Sequence, residues 1–262
     1  MKKIILNLKE KNQISIEFDN ILPELLYDKT SDQINKSIVF YGNKQKPLSY
    51  FFEVDVIGKT DNPNECSIII NGDTSRIKRI GYQMSCGNIV VNGDVDFHVG
   101  AKMSGGHIVV NGDAGSYAGR EMKGGLLEIK GNVREFCGSA YSGEWRGMSG
   151  GKIIISGNVG KHLADYMLGG EIYVRGNCDI LAGVHMVGGF IQIEGNVKQW
   201  LGGQIKKGTI IVTGNSEKLL PGFISKEKIH NPLINDKYYF GVYKLFIGDK
   251  GVKGKANLWI KQ

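Results

Sequence analysis

Three groups of residues in this sequence have types that could do chemistry. The stretch GREMKGGLLEIKGN (residues 119–132) places Gly119, Gly124 and Gly125 ahead of a short apolar run, as a phosphate-cradling loop would. Such a loop continues into a helix and carries a Gly-Lys-Ser/Thr end; here an alternating apolar segment follows instead. The histidines (His98, His107, His162, His185, His230) form no HxH or HExxH pattern, and the cysteines (Cys66, Cys86, Cys137, Cys178) form no CxxC pair. Zinc and iron–sulfur sites need such spacings. No serine sits in a GxSxG elbow. The third group is a row of Asp and Asn, each directly after a glycine. Calcium-binding β-helices use spaced Asp on a nine-residue period, and this row has another period and is mostly neutral Asn. No catalytic, cofactor-binding or metal-ligating residue is assigned from these patterns.

The glycines are explained by a repeat. An apolar-x-apolar-x-Gly-Asn/Asp pattern recurs at Gly72, Gly93, Gly112, Gly131, Gly157, Gly176, Gly195 and Gly214, at intervals of 21, 19, 19, 26, 19, 19 and 19. Two and four residues before each glycine stand Ile68/Ile70, Ile89/Val91, Ile108/Val110, Leu127/Ile129, Ile153/Ile155, Ile172/Val174, Ile191/Ile193 and Ile210/Val212. Period-two alternation of β-branched residues predicts strands. A further column holds Met84, Met103, Met122, Met148, Met167 and Met186, closed by Ile205, and contains every methionine except the first residue. A coil of this length cannot hold a helix, two strands and their turns. It makes one rung of a parallel β-helix, with like residues stacked about 4.8 Å apart.

The predicted fold is therefore mainly β: a right-handed parallel β-helix of about eight 19-residue rungs over residues 66–218, a small N-terminal α+β cap over residues 1–65, and a C-terminal β tail over residues 219–262 that covers the other end. The methionines and Ile/Val pairs are its expected core. The Asp/Asn residues form a turn ladder, and the Gly-Gly pairs at 105–106, 124–125, 150–151, 169–170 and 188–189 mark a second corner. Ala164 and Lys207 depart from the glycine pattern and leave local corner geometry open. His98 and His162 share one column, three rungs or roughly 14 Å apart, too far for one metal. That column (His98, Tyr117, Phe136, His162, Leu181, Trp200) is expected to face out as an aromatic stripe. A second outer stripe runs through Ile69, Val90, Val109, Ile154, Tyr173 and Ile211. Either a partner or the chain's own cap and tail covers these stripes.

The net charge of +7 is concentrated: residues 198–262 carry 12 Lys against Glu217, Glu227, Asp236 and Asp249. No nucleic-acid motif accompanies them. No run is long enough to span a membrane, the N-terminal apolar run is too short for a signal peptide, and unpaired cysteines suit a reducing compartment. A cytoplasmic protein binding neither nucleic acid nor membrane is expected. Between Gly131 and Met148 the repeat carries seven extra residues, AYSGEWR (residues 140–146). They must leave the rung and return. Tyr141, Trp145 and Arg146 are residue types enriched at interface hot spots, so this loop is the predicted partner contact; the alternative is that Trp145 folds back over Phe136.

The segments GAKMSGGHIVVNGD, GREMKGGLLEIKGN and EWRGMSGGKIIISGN, with SDQINKSIVFYGN near the start and LFIGDKGVKGKANLWI at the end, resemble the C subunit of formylmethanofuran dehydrogenase. The repeat alone is also similar to the C-terminal domain of the large glutamate synthase subunit and to the C subunit of the bacterial formyltransferase/hydrolase complex. The first resemblance implies a complex that reduces CO2 with ferredoxin electrons and fixes it as formyl-methanofuran, the first step of methanogenesis from CO2. It implies that a tungsto- or molybdopterin, iron–sulfur clusters and a metal hydrolase site lie in other subunits, which are metallopterin-binding, amidohydrolase-like and ferredoxin-like. The chain would be an archaeal β-helical scaffold without cofactor or active site of its own. The alternative is a stand-alone glutamate-synthase-like module in amide-nitrogen transfer.

Overall fold

The computed structural model describes residues 1–262. Its main element is a 13-stranded sheet. Strands Lys2–Leu8, Cys66–Asn71, Asn88–Asn92, His107–Val110, Leu126–Ile129, Lys152–Ile155, Glu171–Val174, Phe190–Ile193, Thr209–Val212 and Ala256–Lys261 follow one another in parallel across it. The repeat sets their register: Ile153 lies opposite Ile172, Ile172 opposite Ile191, and Ile191 opposite Ile210. A one-residue slip would turn every β-branched pair out of the core. The architecture is mainly β, rich in parallel pairing and β-helix-like. No helix is long and apolar enough to cross a membrane.

A second, narrower face runs alongside. Val95, Ala114, Val133, Val159, Cys178, Val197 and Ser216 make successive single parallel bridges. At the turn before them the Asp/Asn row forms a ladder. The backbone N–H of Asp113 donates to Asp94 Oδ1 at 2.8 Å, and those of Asn158, Asn177, Asn196 and Asn215 donate to the preceding Asn at 2.8–2.9 Å. Asp73 stands outside this ladder and instead pairs with Lys11 at 2.8 Å.

The six methionines of the repeat column are fully buried, and their partners explain the Gly-Gly pairs. Each methionine methyl lies beneath the second glycine of the next rung, where a Cβ on Gly106, Gly125, Gly151, Gly170, Gly189 or Gly208 would meet it at 2.6–2.8 Å. Those glycines also have positive φ, from +77° to +111°. The first glycine of each pair is not left-handed; its missing Cβ makes room for a carbonyl of the preceding rung, such as Ser104 O beneath Gly124. The repeat pattern marks the pair as one corner, whereas the left-handed turn is confined to its second member. Lys207, at the first position, therefore leaves the left-handed turn at Gly208 intact. Ala164 keeps the corner too, adopting φ +59° like Gly183 at +68°.

Both flanks add to the same sheet. Lys2–Leu8, from the expected cap, pairs in parallel with Cys66–Asn71, and Phe52–Ile57 closes that side antiparallel. Within the cap, Ser31–Asn35 is a short helix with a Thr30–Gln33 capping box. Lys2 is buried and its ammonium donates to the carbonyls of Leu26 and Tyr27 at 2.9 and 3.1 Å, which ties the first strand to the cap. At the far side Ala256–Lys261 pairs in parallel with Thr209–Val212, followed antiparallel by Val242–Gly248 and then Ile224–His230.

Candidate functional site

The most chemically varied surface lies where each rung turns in a left-handed residue. His98, Tyr117, Phe136 and His162 have φ between +58° and +70°. A left-handed non-glycine costs roughly 1–2 kcal/mol. Bonding between rungs offsets this: the N–H groups of Tyr117 and Phe136 donate to Glu135 O and Lys161 O at 3.0 and 2.9 Å. The rings then stack. Centroids are 5.2 Å apart for His98–Tyr117, 5.0 Å for Tyr117–Phe136 and 4.9 Å for Phe136–His162, with interplanar angles of 23°, 9° and 13°. Each ring is half-buried, and the neighbouring Val99, Ala118, Cys137 and Leu163 are fully inside.

Residues 140–146 leave this surface as the extra-residue count requires. Ala140 N–H donates to Asp165 O at 3.0 Å and Gly147 N–H to Tyr166 O at 2.9 Å, so adjacent carbonyls of the next rung hold both ends. Within the loop Glu144 N–H donates to Tyr141 O at 2.8 Å across a turn at Gly143. The three predicted contact residues separate. Tyr141 turns back: it lies 5.9 Å from Tyr117 and 4.6 Å from the Arg120 guanidinium. Trp145 projects, 71% exposed, and Arg146 is exposed beside it. Tyr141, not Trp145, returns to the aromatic stripe, and it does so at Tyr117.

On one side of the loop a cavity of about 450 Å³ is lined by Phe136, Trp145, Asp165, Tyr166 and His185 among others. Asp165 joins two histidines, with His162 Nδ1 and His185 Nδ1 at 3.3 and 2.9 Å from its two oxygens. Tyr166 stacks on His185 at 4.3 Å. Column comparison pairs His98 with His162 and misses this group, because His185 sits in another column of the adjacent rung; the signal was His162 and Asp165 three residues apart. Ser139, at the root of the loop, is buried against the carbonyls of Phe136 and Ala140 at 2.7 and 3.0 Å. On the loop's other side a cavity of about 310 Å³ is lined by Arg79, His98, Lys102 and Arg120. Burial, reinforced by Arg120, Arg79 and Lys78, lowers the His98 pKa to about 4, which leaves a neutral imidazole at pH 7.

The cysteines occupy separate columns. Burial pushes the Cys66 thiol up to about 11 and Cys137 up to about 12, and it raises Cys86 and Cys178 as well. Metal ligation and nucleophilic attack both need the thiolate. No group of three His, Cys, Asp or Glu side chains, the His162–Asp165–His185 cluster included, is arranged to hold a metal ion. This surface presents aromatic planes, a projecting indole, arginine groups and the His162–Asp165–His185 cluster.

The second apolar stripe divides. Its far end is self-covered: Ile211 and Phe190 are buried under Ile234, Tyr239 and Tyr243, and Tyr239 OH donates to Gln192 Oε1 at 2.9 Å. Ile69, Val90, Val109 and Ile154 remain half-exposed.

No protein-family model matches the chain. Over 147 residues, 56% of this chain and 53% of the other, it is 54% identical to the C subunit of the tungsten-containing formylmethanofuran dehydrogenase 2 of Methanococcus maripaludis. Over 100 residues, 38% of this chain and 36% of the other, it is 42% identical to the protein of that name from Methanothermobacter wolfeii. The chain thus spans about a third to a half of the length of these curated relatives. Its structure is similar to a chain in the crystal structure of the formyltransferase/hydrolase complex of Methylorubrum extorquens in complex with methylofuran, with a TM-score of 0.86 and 26% identity over 98% of this chain and 99% of that one.

Proposed function

Because the chain is related in sequence to the C subunits of formylmethanofuran dehydrogenases, we propose that it is the non-catalytic scaffold subunit of such an oxidoreductase complex, built as a right-handed parallel β-helix of about eight 19-residue rungs. The complex would reduce CO2 with ferredoxin electrons and fix it as formyl-methanofuran. The observation that carries this reading is the near end-to-end likeness to a chain of a multi-subunit complex. In this reading the metallopterin, the iron–sulfur clusters and the hydrolase metal belong to cytoplasmic partner subunits of metallopterin-binding, ferredoxin-like and amidohydrolase-like type. This chain supplies rigid, evenly spaced surface. Stacked rungs suit that task, since each coil is braced on both sides and a long face keeps its shape.

The loop at residues 140–146 is the proposed principal contact. Trp145 offers a large apolar plane with few rotatable bonds, and Arg146 can hold a partner carboxylate through two parallel hydrogen bonds. Both side chains lie outside the core, so Trp145→Ala with Arg146→Ala should leave the fold intact. Assembly should weaken by about 2 kcal/mol, roughly thirtyfold in affinity. Circular dichroism of the double variant, beside its copurification with metallopterin and iron–sulfur subunits, checks this. Normal assembly would show that the loop is not a principal contact. Copurification of the natural chain with a glutaminase and a flavin subunit would replace the proposal with amide-nitrogen transfer.

A further inference from the structure

From the cavity on the Tyr141 side of the loop we infer that this protein has a carboxylate-binding cleft centred on Arg120, which takes an organic monocarboxylate with a flat body. Arg120 is only 8% exposed, yet it lines the opening. A buried guanidinium normally has its donors taken. Here the side chain makes no hydrogen bond to protein, and Nε is enclosed without an acceptor. Its nearest carboxylate, Glu121, approaches Nε at 3.4 Å out of hydrogen-bonding alignment and is shared with Lys102 at 3.3 Å. Tyr141 holds the guanidinium plane from one face at 4.6 Å, fixing its orientation. An arginine so placed presents its fork to a two-oxygen acceptor.

The surroundings select the ligand's charge and shape. Arg79 is already engaged by Asp19 at 2.9 Å and Glu17 at 3.6 Å, and Lys102 by Glu121. Arg120 therefore shares Glu121 with Lys102 and has no hydrogen-bond acceptor of its own, and Glu144 stands at the rim. A doubly charged phosphate would meet both glutamates, whereas a single carboxylate is matched by Arg120 alone. The walls are the rings of Tyr82 and Tyr141 and the half-buried His98, whose Nδ1 also lacks a partner. About 310 Å³ accommodates a benzoate-sized molecule. The carboxylate could belong to a free metabolite or to an acidic side chain of a partner; the recognition chemistry is the same. The site is independent of the scaffold reading, because it concerns this chain alone.

Benzoate is the probe, with benzamide as its uncharged isostere and inorganic phosphate as the second anion, followed by ligand-observed NMR and calorimetry. Benzoate should bind one per chain, at least tenfold more tightly than benzamide, with phosphate a poor competitor. Arg120→Gln should lose at least tenfold. Since Arg120 is buried, Tyr82→Ala on the half-exposed wall serves as a second variant and should weaken binding severalfold with an unchanged melting curve. Equal binding of benzoate and benzamide overturns the proposal, as does wild-type affinity in both variants. If the assembled complex still binds benzoate, the natural carboxylate is a free molecule; if assembly displaces it, a partner side chain occupies the cleft.

Discussion

His98 shows how one residue answers to two demands. Its backbone must turn left-handed at the rung corner, and its ring must stack on Tyr117. Stacking half-buries the imidazole beside Arg120 and Arg79, so the folded state resists its protonation and its pKa falls from 6.5 to about 4. The unfolded chain therefore binds more protons between those values. Linkage gives the sign: the stabilising contribution is fully present above pH 6.5 and is lost as pH falls toward 4. His98→Phe keeps the stack and removes the titration. Its melting temperature should decline less between pH 7 and pH 5 than that of the natural chain. Parallel melts at the two pH values decide it; identical declines would show that His98 is not a source of acid sensitivity.

At the scale of elements, the methionine column and the second-glycine column are one device. A flexible thioether reaches up from one rung and ends where the next rung has no side chain. Neither column makes sense without the other, which is why both recur at the same period. Met122→Ala removes the group that fills the space under Gly151. It should cost about 2–5 kcal/mol, the range for a buried large-to-small change that leaves a cavity. Urea titration measures it, and a loss below a few tenths would show that the rungs close over the gap. The loop at residues 140–146 follows a different rule. Its length came from the interval between repeats, but the direction of each side chain depended on where Arg120 and Asp165 stood in neighbouring rungs.

For the whole molecule the ends decide solubility. A parallel stack leaves a strand edge at each end, and an open edge pairs with other chains. Phe52–Ile57 adds an antiparallel edge strand at one end, and the C-terminal strands extend the other end antiparallel as far as Ile224–His230 while covering Ile211. Removing residues 219–262 should expose both the edge of Thr209–Val212 and the apolar face around Phe190 and Ile211. Size-exclusion chromatography of the shortened chain should show aggregates, whereas a monodisperse monomer would mean that the tail is dispensable as a cover.

The sequence by itself determined the strands, their register, the buried methionines, the turn ladder and the existence of the loop, because all of these repeat and stacked coils convert a period directly into contact. The column through Val95, Ala114, Val133, Val159 and Cys178 was missed, its small and mixed residues giving no periodic signature as sharp as Ile/Val. Tertiary structure alone decided the rest. It brought His162, Asp165 and His185 together from two rungs, laid the exposed Tyr141 ring over Arg120 while Trp145 projects, and gave Lys2–Leu8 and Ala256–Lys261 to the central sheet. These contacts join residues that share no column, so the repeat that makes the fold legible carries no information about them.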